Sequence, residues 1–112
     1  MAASRGAGIR VVRDPTEAVR GAHVISTDVF ASMGQEAEQK QREAAFRGFI
    51  VSRDLLRSAV SDVTVLHCLP AHRGEEIEAE VIDASTSAVW DQAEARLHTA
   101  KAALAWALGG DD

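Results

Sequence analysis

The sequence predicts an α/β fold in which helices flank a parallel sheet. Short β-branched runs alternate along the chain with stretches that carry helix-start signals, an order typical of parallel α/β layers. Four runs are predicted strands, namely residues 9–12, 24–27, 63–66 and 88–90. The chain has 112 residues, so it forms one domain at most.

Helix-start signals follow the first two predicted strands. Asp14 as N-cap, Pro15 at the first helical position and Glu17 predict a helix that runs to about Gly21. A capping-box spacing begins again at Ser32 and precedes a polar helical stretch to about residue 47. The first half of the chain is therefore predicted to contain two strands, each followed by a helix.

The second half holds two further predicted helices. A short one runs from about residue 53 to 60 with Ser52 as its cap, and leads into the third strand. The last has Asp91 as N-cap, carries an apolar stripe through Leu97 and Leu104, and ends at Gly109. Such a stripe requires another surface to cover it.

Composition limits the class of partner. The net charge of -5 argues against a protein that binds nucleic acid or a membrane surface, so a small molecule or another protein is expected. No apolar run is long enough for a membrane span and no secretory leader is readable, which predicts a cytoplasmic protein. Cys68 is the single cysteine, so it forms no internal disulfide and fits a reducing compartment.

Polar groups follow three of the predicted strands. Asp28 and Ser32 follow the second, His67 and Cys68 the third, and Arg96 lies in the last helix. The carboxyl ends of parallel strands are where open α/β sheets bind ligands. A carboxylate suits an amine, a hydroxyl and a thiol form hydrogen bonds, and an arginine suits an anionic oxygen.

Each of these residues also has a plain structural interpretation. Asp28 can be a turn residue, Ser32 a helix cap, Cys68 a core side chain and Arg96 a surface charge. A zinc site is not expected, because the paired ligand spacings of zinc sites are missing around His67. A Cys-His nucleophile is also disfavoured, because adjacent residues on a strand point to opposite faces. The sequence contains no glycine-rich dinucleotide or triphosphate loop.

Three motifs resemble the aspartate/ornithine carbamoyltransferase family, and within it the carboxy-terminal half of the ornithine enzymes. They are DVFASMGQE at 28–36, HCLPAHRGEE at 67–76 and VWDQAEARLH at 89–98. The resemblance spans about residues 9–108 and implies transfer of a carbamoyl group from carbamoyl phosphate to L-ornithine, giving citrulline and phosphate. It implies no cofactor and no metal, and a catalytic homotrimer.

The resemblance also implies roles for individual residues. Asp28 pairs with the α-ammonium of ornithine, while Ser32 and Met33 contact the substrate backbone. Cys68 lies beside the attacking amine without becoming acylated, and the Leu69 carbonyl lies near the carbamoyl nitrogen. Arg96 binds carbamoyl or phosphate oxygens, and the Leu69-Pro70 bond is cis. His67 and Pro70 support the site.

Departures from the family pattern matter as well. The resemblance implies that residues 1–112 are a partial, Rossmann-like ornithine-binding domain that lacks its first two strands, and that the carbamoyl-phosphate domain is absent. Ala95 replaces the asparagine that usually precedes the arginine. Such a chain is expected to be inactive alone and to need the missing half or an intact subunit. A non-catalytic interaction fragment and a carbamoyltransferase for another amine stay open as alternatives.

Overall fold

The computed structural model describes residues 8–30 and 44–109. Ser32 and Met33 lie outside the described residues, as does most of the helical stretch predicted to reach residue 47. What the sequence indicates for that segment stays a prediction.

Two parallel strands form the sheet. β1 (Val24–Thr27) pairs with β2 (Thr64–His67), with Val24 opposite Thr64 and Thr27 opposite His67. The strand predicted at 24–27 is confirmed, and the one predicted at 63–66 is confirmed with a shift of one residue. The predicted α/β class with a parallel sheet is likewise confirmed.

Two predicted strands are wrong. Residues 9–12 pair with no strand in the described part of the chain, and Ile9 is 80% exposed. A strand requires a neighbour for its N–H and C=O groups, whatever its side-chain pattern. Residues 88–90 enter a helix instead, and the strand contact there is a single bridge between Val65 and Ser87. Three apolar residues do not distinguish a strand from the first turn of a helix.

The short helices begin where the capping residues predict. α1 (Pro15–Val19) is capped by Asp14, whose carboxylate accepts a hydrogen bond from Thr16 N at 2.9 Å. In α2 (Arg53–Leu56) the Ser52 hydroxyl accepts from Leu55 N at 3.1 Å.

α2 ends four residues earlier than predicted. Its following amides bond to carbonyls three residues back, as Ser58 N does to Leu55 O and Ala59 N to Leu56 O. The chain therefore leaves the helix through tight turns. A further helix, α3 (Ala79–Ile82), was not predicted.

The long helix α4 (Val89–Ala107) begins before its predicted cap. Asp91 lies in its first turn, and Val89, its first residue, is fully buried. The end near Gly109 is confirmed, and this glycine has a φ of 74°. Leu97 and Leu104 are 62% and 63% exposed, so the described residues leave the apolar stripe of α4 largely uncovered.

The core lies around β2. Val65 and Ile77 are completely buried at its centre, with Val81, Ile82 and Val89 packed beside them. These side chains come from a strand, a loop and two helices, so the core fixes the loop between β2 and α3 against the sheet. Among the described helices, none is both long and apolar enough to cross a membrane.

Candidate functional site

The site lies at the carboxyl edge of the sheet. Thr27 and His67 are paired as the last residues of β1 and β2. The next residues, Asp28 and Cys68, therefore leave the sheet side by side. This is the edge at which ligands bind in open α/β sheets.

The Cys68 thiol lies beside the Asp28 carboxylate. Its interaction with Asp28, followed by the hydrogen bond from Val29 N at 2.7 Å, lowers the pKa of Asp28 below its ordinary value. The same interaction, followed by burial and the carboxylate charge, raises the pKa of Cys68. Near neutral pH the pair is therefore a carboxylate and a thiol. A thiol is a poor nucleophile, which agrees with a residue that orients a substrate.

Arg96 reaches the same edge from α4. Its Nη1 donates a hydrogen bond to the Cys68 carbonyl at 3.3 Å, and the residue is exposed. In the part of the chain that the structure describes, the other N–H groups of the Arg96 guanidinium have no hydrogen-bond acceptor. The guanidinium thus retains donors in the fork geometry that suits an anionic group.

Gln92 attaches the same helix face to the strand end. It precedes Arg96 by four residues, which places both side chains on one face of α4. Its Oε1 accepts a hydrogen bond from His67 N at 3.0 Å. Sequence reasoning did not include Gln92, although its spacing from Arg96 was a usable signal.

His67 is buried, and both nitrogens of its ring have partners in the described residues. Its Nε2 lies 3.0 Å from Glu76 Oε1, and its Nδ1 accepts from Leu69 N at 2.9 Å. These partners fix the neutral tautomer with the proton on Nε2, because Nδ1 must carry a lone pair. Both ring nitrogens are engaged, so His67 does not activate Cys68.

The backbone after Cys68 has an unusual conformation. The Leu69-Pro70 bond is cis, as the family resemblance implied. Leu69 has a φ of 56°, in the left-handed region that side chains other than glycine seldom enter. The conformation is held locally, since the Leu69 amide is bonded to His67.

Glu76 is the principal residue that the sequence did not single out. It is completely buried, and its Oε1 accepts from His67 Nε2 and from His72 N, the latter at 2.6 Å. Its other oxygen has no partner among the described residues and lies 3.8 Å from His72 Nδ1. Ligand atoms of His72, Glu75 and Glu76 lie within 4.8 Å of one another, a spacing at which they can hold a metal ion.

Comparison with known proteins identifies the family. Residues 1–107 match the family model described as aspartate/ornithine carbamoyltransferase, Asp/Orn binding domain. The chain therefore belongs to the aspartate/ornithine carbamoyltransferase family, and the resemblance drawn from its three motifs is confirmed.

Individual relatives agree. The ornithine carbamoyltransferase of Pelobacter propionicus is 59% identical over 111 residues, which cover 98% of this chain and 36% of that protein. The enzyme of the same name from Parasynechococcus marenigrum is 56% identical over 108 residues, covering 96% of this chain and 34% of the relative. This chain thus spans about a third of the length of the curated relatives it matches.

A solved structure shares the fold. The ornithine carbamoyltransferase of Pyrococcus furiosus superimposes with a TM-score of 0.90 at 53% sequence identity, over 99% of this chain and 36% of that one. The two proteins therefore have closely similar backbone paths over this region.

Proposed function

We propose that this chain forms the amino-acid-binding part of an ornithine carbamoyltransferase site. The observation that carries the proposal is that Asp28, Cys68 and Arg96, from three different elements, meet at one sheet edge. The thiol of Cys68 lies beside Asp28, and the Cys68 carbonyl accepts a hydrogen bond from Arg96. The substrates are L-ornithine and carbamoyl phosphate, and no cofactor or metal takes part.

Asp28 holds the α-ammonium of ornithine. Its lowered pKa keeps the carboxylate charged near neutral pH. An ionised carboxylate accepts about four hydrogen bonds, so the bond from Val29 N and the neighbouring Cys68 thiol leave room for an ammonium donor. Ser32 and Met33 are assigned to the substrate backbone from the motif alone.

Arg96 and the backbone after Cys68 act on the second substrate. The δ-amine nitrogen of ornithine attacks the carbamoyl carbon, and the carbon–nitrogen bond forms. Arg96 binds the carbamoyl or phosphate oxygens and stabilises the charge of the tetrahedral intermediate. The carbon–oxygen bond to phosphate then breaks, and the departing phosphate takes up the proton that the amine loses. Leu69 presents its carbonyl to the carbamoyl nitrogen, and Cys68 orients the amine as a neutral thiol.

His67 and Pro70 hold the backbone of Cys68 and Leu69 in place. The transfer reaction also needs residues that bind the phosphate of carbamoyl phosphate. The family's Ser-x-Arg-Thr-Arg phosphate loop does not occur in this sequence. We therefore expect the chain by itself to bind ornithine and to form no citrulline. Citrulline production by the purified chain, lost on Arg96→Ala, would contradict that expectation. The trimeric assembly and the cytoplasmic location stay predictions.

Calorimetric titration with L-ornithine tests the proposal directly. Asp28→Asn removes the charge opposite the ammonium, and the loss of a charged hydrogen bond of about 1.5–3 kcal/mol weakens binding by about tenfold or more. Asp62→Asn, a change at an exposed carboxylate, is the matched control and leaves binding unchanged.

Ligand analogues separate the possible acceptors. Nα-Acetylornithine lacks the free α-ammonium and putrescine lacks the α-carboxylate, so both bind more weakly than ornithine to the wild-type chain. Equal binding of either would favour a carbamoyltransferase for a different amine. No ornithine binding by the folded chain would overturn the proposal.

A second candidate function is an interaction module without catalysis. It is favoured by apolar groups exposed in the described structure: Val24 on β1 is 57% exposed, and Leu104 and Trp106 on α4 are 63% and 81% exposed. Stable association with a purified full-length ornithine carbamoyltransferase, without ornithine binding by the chain itself, would favour this function.

A further inference from the structure

The buried carboxylate of Glu76 has no part in substrate contact as proposed above. It lies nine residues after His67, where the loop returns to the core, and the next residue, Ile77, is also completely buried. Ile77 bridges to Val51, so the backbone at this point is attached to the core. A carboxylate buried in such a place is costly unless hydrogen-bond donors meet it.

The donors that meet Glu76 belong to the loop that carries Cys68. One is the His67 ring and the other is the His72 amide, so the carboxylate joins the two ends of the segment 67–72. These contacts close the loop on itself around a single oxygen atom, Oε1.

The two sides of the His67 ring are coupled through its proton. The Glu76 carboxylate accepts a hydrogen bond from His67 Nε2, and this selects the tautomer with the proton on Nε2. Only this tautomer leaves a lone pair on Nδ1 for the Leu69 amide. The hydrogen bond that the carboxylate accepts thus acts through the His67 ring on Leu69, whose φ of 56° is seldom adopted by leucine.

We propose that Glu76 is a positioning residue, which acts through His67 to hold the Cys68 and Leu69 backbone in its substrate-binding conformation. The inference rests on the proposed function for its effect on ornithine. Its effect on the His67 ring and the Leu69 amide is independent of any ligand. Glu76 itself touches no substrate.

Two substitutions at this position have opposite expectations. Glu76→Leu removes both acceptor oxygens, while Glu76→Gln retains an amide oxygen that can accept from His67 and His72. Glu75→Leu is the matched control, because Glu75 is the adjacent glutamate and is exposed. Far-UV circular dichroism confirms that each variant is folded.

Long-range ¹H–¹⁵N correlation spectra of the imidazole ring report the tautomer. The wild type, Glu76→Gln and Glu75→Leu carry the proton on Nε2, whereas Glu76→Leu gives a mixture of tautomers. Hydrogen exchange at the Leu69 amide is faster in Glu76→Leu than in the other three proteins. Ornithine binding in Glu76→Leu is weaker by about tenfold, the effect of losing one hydrogen bond at the site.

The outcomes separate this inference from the function on which it rests. A proton on Nδ1 in the wild type, or unchanged tautomer and Leu69 exchange in Glu76→Leu, overturns the role of Glu76. The wild-type measurement stands even if Glu76→Leu does not fold. Failure of the wild type to bind ornithine, with the expected ring signals in all four proteins, overturns the proposed function alone.

Discussion

Replacing Ile77 provides the sharpest test of how the loop is attached to the core. The side chain is completely buried, and the backbone of Ile77, directly after Glu76, bridges to Val51. Ile77→Ala removes three buried carbon groups, each worth about 0.8 kcal/mol in transfer free energy, or about 2.4 kcal/mol together. The cavity left behind raises the loss to about 3–4 kcal/mol.

That loss is large beside the stability of a typical domain, about 5–15 kcal/mol. Urea denaturation followed by circular dichroism measures it as a lower transition midpoint with an unchanged slope. Ile77→Val, which removes one methyl group, costs about 1 kcal/mol. Ile9→Ala is the control, because Ile9 is 80% exposed, and it changes the free energy of unfolding by less than about 0.5 kcal/mol. An Ile77→Ala effect no larger than this control would refute the packing argument.

Three further predictions concern Asp28 at the site, the cap of α2 and the contact between α4 and β2. Asp28→Ala removes the acceptor and charge that raise the pKa of Cys68, so a larger fraction of the only cysteine is thiolate at pH 8 and iodoacetamide alkylates it faster. A rate equal to that of the wild type would contradict the contact. Ser52→Ala lowers the free energy of unfolding by about 1 kcal/mol, measured in urea, because the hydroxyl caps α2; no change would mean that the cap is not formed in solution. Gln92→Leu leaves the part-buried His67 amide without its acceptor, which lowers the free energy of unfolding by about 1–3 kcal/mol and speeds hydrogen exchange at that amide. Unaltered exchange would show that another group accepts the bond from this amide.

The pH dependence of the Asp28 and Cys68 pair has a definite sign. The pKa of Asp28 is lower in the folded chain, so its contribution to stability is present above the unfolded pKa and is lost as pH falls through the folded value. The pKa of Cys68 is higher in the folded chain, so its contribution is lost as pH rises above the unfolded value. Asp28 is exposed to solvent, so its effect on the free energy of unfolding is small.

Features set by neighbouring residues were predictable. The caps Asp14 and Ser52 act on amides two or three positions away, and β1 has the predicted bounds. The helix end at Gly109 also needs only a residue that accepts a positive φ. The three motifs predicted the family, because their order and spacing are properties of the sequence itself.

Features set by distant partners were not predictable. Residues 9–12 have the side chains of a strand, yet whether they pair depends on a neighbouring strand elsewhere in the chain. Residues 89 and 90 begin α4 instead of a strand, with Val89 packed in the core. The contacts of Glu76 and Gln92 with His67 span nine and 25 residues of sequence.

The sequence by itself determined the α/β class, the helix caps, the family and the residues expected at the site, because each depends on local spacing or on a motif. The tertiary structure decided which apolar runs pair as strands, how the Cys68 thiol meets Asp28, and which tautomer His67 adopts. Those outcomes depend on hydrogen-bond partners and burial that arise only when distant segments pack together.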